Sequence, residues 1–163
     1  MNKNVTWIDE NENDLGEVSL DRAHAEGLLH RISVIYLIND QRQILVQKRD
    51  DGRLDHSAAG HVEVKESYLD AAERELNEEL GVANVTLKEI GDCISKEIDS
   101  KARHKYKVFL CLANPGQLSS EEVQAVFWAD PKETWQDMVE NSDNKKYCSG
   151  FKATLELLLK EFK

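Results

Sequence analysis

Proline, glycine and cysteine are all scarce in this chain of 163 residues, which has two, eight and three of them. The shortage of proline and glycine excludes a collagen or a low-complexity linker, and the mixed composition excludes a coiled-coil rod. Cys93, Cys111 and Cys148 are odd in number and widely spaced. That pattern excludes a disulfide scaffold and reads as reduced thiols in a cytoplasmic protein. Long apolar runs are absent too. Ile32 to Ile38 and Val108 to Ala113 are far too short to span a bilayer. The opening MNKNVTWIDENEND has no basic start followed by an apolar stretch, so it does not read as a secretory signal. Positive charge is in deficit: 21 Lys and Arg face 31 Asp and Glu, a net charge of -10. So acidic a chain is a poor ligand for nucleic-acid polymers or anionic membranes. A phosphorylated small molecule remains open as a partner if a divalent cation bridges the two.

Hydrophobic residues at 40% and charged residues at 32% give a globular balance. A chain of this length builds one core without disulfides or structural metal. Residues 1–29 form a polar, acidic leader, in which Asp21 to Glu26 reads as a helical turn stopped by Gly27. Residues 30–163 form the main domain. Ile32 to Ile38 reads as a buried central strand, and Gln43 to Lys48 as its hairpin partner. Ser57 to Val64 holds a short strand. Further strands are expected at Thr86 to Ile90, Cys93 to Ile98, Tyr106 to Leu112 and Ala125 to Ala129. Pro131 opens a helix to about Glu140. A last helix, from about Ser149 to Phe162, carries Phe151, Leu155, Leu158, Leu159 and Phe162 as its apolar stripe. This order predicts an α/β protein of the α+β type, a mixed sheet sandwiched between helices.

The segment from Gly60 to Val82 is the most informative. Its periodicity and the position of Gly81 predict a helix over Ser67 to Leu80. Leu69, Ala72, Leu76 and Leu80 fall on one stripe, and Glu75, Glu78 and Glu79 on its neighbour. Three carboxylates at i, i+3 and i+4 repel one another, and the helix dipole disfavours anions in its C-terminal half. A local rule broken on one face of a well-formed helix points to a functional site. Hard divalent cations seek such oxygen ligands and relieve the repulsion.

The spacing of this segment is equally specific. It reads Gly, five residues, Glu, seven residues, Arg-Glu, an aliphatic, any residue, Glu-Glu, any residue, Gly, an aliphatic. The positions are Gly60, Glu66, Arg74, Glu75, Leu76, Glu78, Glu79, Gly81 and Val82. Nine specified positions arise by chance on the order of once in a million chains. The pattern resembles the signature of the Nudix hydrolases. The resemblance implies the Nudix fold, and a loop-helix-loop that binds Mg²⁺ or Mn²⁺ against a diphosphate. It implies Glu75, Glu78 and Glu79 as catalytic metal ligands and the Gly60 carbonyl as a further ligand. Glu66 and Arg74 are implied as the ion pair that orients the helix, and Gly81 as the helix stop. The implied reaction is water attack at phosphorus, splitting a P–O–P bridge in a nucleoside diphosphate-type or related molecule. Outside the signature, Glu97, Asp99, Glu121 and Glu122 are candidates for a general base. Lys48, Arg49 and His61 are candidates for substrate contacts, with His56 nearby, and Trp128 suits the core better than a base stack.

A second resemblance lies upstream. Ala23 to Asp40, with its His30-Arg31 pair, looks like the entry to the catalytic domain of isopentenyl-diphosphate isomerases. The isomerase reaction needs a cysteine in the loop before Gly60 and an acid on a later strand. The loop reads RLDHSAAG, and the strand from His104 to Leu112 reads HKYKVFLCL, so both are missing. The expected activity is therefore hydrolysis, with isomerisation or ligand sensing without turnover as the alternatives. A two-fold homodimer is the expected assembly.

Overall fold

A computed structural model describes residues 3–96, 100–119, 121–141 and 145–162. The chain begins with a hairpin of β1 (Asn4–Ile8) and β2 (Asp14–Ser19), which forms a two-stranded sheet of its own. The first four residues of β2 face solvent, Leu15 among them, so no apolar alternation announces it. The turn of helix expected next is α1 (Leu20–Glu26), capped by the Ser19 hydroxyl and ended at Gly27. Val5, Val18 and Ala23 bury a small core between hairpin and helix.

The main sheet is built on β3 (His30–Ile38), whose residues 32–37 are buried. It pairs in parallel, residue for residue, with β8 (Arg103–Leu112), from His30 opposite His104 to Ile38 opposite Leu112. Strands covered on both faces read as continuous apolar runs, which accounts for both segments. The expected hairpin between β3 and β4 (Ile44–Arg49) survives in one register pair, Ile38 with Ile44. The two strands then part. A side chain takes the place of the ladder: the buried Ser57 hydroxyl accepts from the Leu37 N–H at 2.8 Å and donates to the Leu45 carbonyl at 2.6 Å. Beyond the split, β3 pairs with β6 (Ala58–His61), while β4 pairs with β5 (Leu54–Asp55) and β9 (Val123–Ala129). The strands expected at Thr86 to Ile90 and Cys93 to Ile98 are one, β7 (Lys88–Lys96), with a register shift between Glu89 and Gly91. Residue 98 lies outside the described residues.

Alternation along β3 sends Ile35 and Leu37 to one face and Val34 and Tyr36 to the other. The first face receives α2 (Tyr68–Leu80) through Ala72, Leu76 and Leu80. The second receives α3 (Pro131–Glu140) through Met138 and α4 (Phe151–Glu161) through Phe151, Leu155 and Leu158. The result is the predicted mixed sheet between helices. One expectation for α2 fails: Leu69 is 43% exposed. The buried face of α2 runs instead through Ala71, Ala72, Glu75, Leu76, Glu79 and Leu80, rotated toward the glutamates.

Candidate active site

The site forms where β6 meets α2. The Ser67 hydroxyl caps the start of α2 by accepting from the Asp70 N–H. Gly81, at φ 65°, ends it in the left-handed region. A Cβ on Gly81 would stand 2.6 Å from the backbone of Gln117, so both its conformation and its surroundings require glycine. This end is tied to the following loop: the Gly116 and Ser119 amides donate to the carbonyls of Leu80 and Glu79 at 2.8 and 2.9 Å.

Gly60 is the point of closest approach between strand and helix. A Cβ there would lie 2.1 Å from the Glu75 carboxyl carbon. Only a residue without a side chain lets that carboxylate lie against the strand. Arg74 organises the neighbouring acids. Its Nε and Nη2 donate to the two oxygens of Glu66 at 2.8 and 2.9 Å, a bidentate pair. Nη2 also donates to the His61 carbonyl at 3.0 Å, and Nη1 to Glu75 at 2.6 Å and Glu78 at 3.4 Å. The Arg74 guanidinium holds the Glu66 carboxyl below the usual range, and the hydrogen bonds that Arg74 donates to Glu66 raise its own pKa in turn. The Glu66–Arg74 pair thus ties the loop before α2 to the helix.

Glu79 is different. It is 7% exposed and receives the Ala59 N–H at 2.9 Å and the Gln47 amide at 3.2 Å. No cationic side chain among the described residues pairs with it. Burial pushes its pKa up to about 8, and the nearby Glu75 adds to the shift. Glu75, 6% exposed, is also raised, chiefly by burial, with Arg74 opposing. Glu78 stands on the outer side, its side chain half exposed.

A cavity of about 600 Å³ opens in front of Glu79 and Gly60. Gln47, Arg49 and His61 reach it. Lys48, one residue along β4, does not line it, because successive side chains of a strand face opposite ways. Glu121 and Glu122 stand exposed at its rim, while Glu97 and Asp99 lie outside the described residues. His56 borders the cavity but is engaged in the core, its Nε2 2.7 Å from the Thr154 hydroxyl and its Nδ1 2.6 Å from Asp55. Trp128 packs on the α2 side of the core. Gln47 escaped the sequence reading. Its burial, to 3% exposed, is hidden in the sequence because it stands beside Lys48 and Arg49, which do not share that burial. The His30-Arg31 pair divides its work: Arg31 donates to the Glu12 carbonyl and Asp14, holding the N-terminal hairpin, and His30 turns inward.

A strand–loop–helix in which buried carboxylates close on a side-chain-free strand position, inside a mixed sheet between helices, defines a Nudix-type domain. The NUDIX domain family matches residues 28–149, and the chain belongs to the Nudix hydrolases. An uncharacterized Nudix hydrolase of Yersinia pestis is 35% identical over 136 residues, 79% of this chain and 74% of that protein. An isopentenyl-diphosphate Δ-isomerase of Serratia proteamaculans is 31% identical over 158 residues, 88% of this chain and 85% of that protein. Among solved structures, DR0079 from Deinococcus radiodurans superimposes with a TM-score of 0.78 at 17% identity, covering 99% of this chain and all of that one. No helix of the described residues is long and apolar enough to cross a membrane.

Proposed function

We propose that this chain is a divalent-metal-dependent pyrophosphohydrolase that cleaves the P–O–P linkage of a nucleoside diphosphate-type or related small molecule. Water is the nucleophile and phosphorus the centre attacked. The observation that carries the reading is Glu79, a buried carboxylate beside a second one and without a cationic side chain. Arg74 compensates Glu75 alone, so Glu79 is stable as an anion only with added positive charge. The donors available are carboxylate oxygens and a backbone carbonyl, which suit a hard cation such as Mg²⁺ or Mn²⁺. Glu75, Glu78, Glu79 and the Gly60 carbonyl would hold it. When bound, the ion supplies charge neutralisation for the diphosphate and acidifies a coordinated water.

The remaining work falls to the chain itself. The Gln47 amide and the Ala59 N–H hold the Glu79 carboxylate in one orientation. Arg74 does the same for Glu75. Arg49 lines the same cavity as Glu79 and would be the cation there to meet substrate phosphate, held by Asp51, Asp55 and Cys148. The isomerase reading is disfavoured by Ser57. Its hydroxyl already serves both Leu37 and Leu45 in the core and cannot deliver a proton to a carbon in the cavity.

The test is a panel of diphosphate compounds incubated with the full chain and Mg²⁺, Mn²⁺ or EDTA, with products resolved by anion exchange. Cleavage that needs metal and falls at least 100-fold in Glu78→Gln and Glu79→Gln is the expected result. Metal-independent cleavage, or full activity in both variants, overturns it.

A further inference from the structure

A second cavity, of about 390 Å³, lies between the end of β7 and the helices α3 and α4. That volume is in the range of small-molecule sites. Its apolar wall is formed by Trp135 and Met138 of α3 and by Tyr147. Tyr147 is held at both ends: its ring meets Phe151 edge-on at 5.6 Å, and its hydroxyl donates to Asp137. Trp135 is half-buried against the core on the α3–α4 face of the sheet. Flat rings fixed before a ligand arrives cost little further ordering when one binds.

The charge here runs against that of the chain. Among the described residues, four lysines line this cavity, Lys96, Lys145, Lys146 and Lys152, with one acid, Glu156. The chain as a whole carries a net charge of -10. Two of the ammonium groups stand over the aromatic rings: Lys152 Nζ is 5.5 Å from the Trp135 centroid, and Lys146 Nζ 5.5 Å from that of Tyr147. Lys146 also donates to Asp137 at 2.7 Å, while Lys96 and Lys152 are exposed at the mouth. The first cavity has the opposite balance. Among its described lining residues, six acids are set against two arginines. An anion offered to the metal-free protein is therefore repelled by the first cavity and attracted to the second.

We propose that the second cavity binds a small aromatic anion, a planar ring system carrying a phosphomonoester, of the nucleoside monophosphate class. The ring stacks on the aromatic wall and the lysines at the mouth meet the phosphate. Each half of such a ligand answers one feature of the cavity: an uncharged ring leaves the lysines unused, and inorganic phosphate leaves the rings bare. The site is separate from the glutamate site but shares a wall with its cavity, since Cys148 and Ser149 line both. On the side of the first cavity, Cys148 Sγ stands 3.4 Å from Arg49 Nη1, which donates to it. A Cβ on Gly150 would lie 2.4 Å from the Tyr106 hydroxyl, so the partition is packed tightly on that side. An occupant of the second cavity thus bears on the segment that holds Arg49. The proposal is independent of the hydrolytic reading and stands or falls separately from it.

The test is an amide NMR titration of the full chain in EDTA at low ionic strength, with adenosine monophosphate, adenosine and inorganic phosphate as the probes. Adenosine monophosphate should shift the Trp135 indole N–H and the amides of residues 146–153, and leave those of Ala59, Gly60 and Glu79 in place. Adenosine and phosphate alone should each bind about 10-fold more weakly or worse. The double variant Lys96→Gln, Lys152→Gln changes two exposed side chains and should weaken the nucleotide about 10-fold, while Glu79→Gln should leave its affinity unchanged. No binding of adenosine monophosphate, shifts centred on Gly60 and Glu79, or unchanged affinity in the lysine variant overturns the proposal.

Discussion

Replacing Glu79 by Gln should stabilise the metal-free protein in alkali and destabilise it in acid. In the folded chain this carboxyl has its pKa raised from the ordinary 4.5 to about 8. A group raised in this way costs nothing below pH 4.5, where it is protonated whether folded or not. The cost grows as pH climbs from 4.5 to about 8 and is then constant, at most about 5 kcal/mol. Gln removes that cost but brings one of its own. The Gln47 amide nitrogen donates both to Glu79 and, at 3.0 Å, to the Ser57 carbonyl, so it cannot turn over. It would meet the new amide nitrogen donor to donor, for a loss of about 1–3 kcal/mol. The variant should therefore be more stable by roughly 2–4 kcal/mol above pH 8 and less stable by up to about 2 kcal/mol near pH 5, where about 1 kcal/mol of the wild-type cost is already present. Urea denaturation of both proteins in EDTA, from pH 5 to 9, measures the difference. A difference that keeps one sign across this range would refute the assignment of Glu79 as a strained buried anion. Adding Mg²⁺ at pH 8 should reverse the order, because only the wild type has the carboxylate that gains from it.

Two further substitutions examine how the site is supported. Gly60→Ala should cost about 2–4 kcal/mol in thermal denaturation, because the new methyl must displace the Glu75 carboxylate from 2.1 Å, and cleavage should fall at least 100-fold. Arg74→Lys keeps the charge but loses the forked contact to Glu66 and the bond to the His61 carbonyl; a loss of about 2–4 kcal/mol by chemical denaturation is expected, and an unchanged stability would show the pair to be ornamental.

Most of α2 was legible because its signals are local. Ser67, Gly81 and the glutamate spacing all lie within one helix and its caps. The sandwich was legible for a related reason, since β3, β8 and α4 carry apolar patterns that state their burial. Other features depend on residues far apart in the chain. The parting of β3 from β4 rests on Ser57, a small polar residue that nothing upstream identifies as a wedge. The division expected within residues 86–98 fails because a register shift at Glu89 and Gly91 carries the strand through without a turn. The β1–β2 hairpin is short and buries little beyond Val5, Ile8 and Val18, with Leu15 left exposed, so its apolar residues do not follow the strand period. The histidines at 24, 30, 61 and 104 show no motif spacing at all; the β3–β8 and β3–β6 registers and α1 bring one ring nitrogen of each within 4.8 Å of the others.

The splice between the end of α2 and the loop after β8 limits how this protein can acquire new substrates. The amides of Gly116 and Ser119 complete the last turn of the helix, one of them on the carbonyl of Glu79 itself. An insertion or deletion within residues 116–119 would therefore reach Glu79 through the backbone, without touching any residue proposed to hold the metal. Loop grafting aimed at altered selectivity should leave that stretch intact and begin at Glu121 and Glu122, where the chain borders the cavity with its side chains exposed.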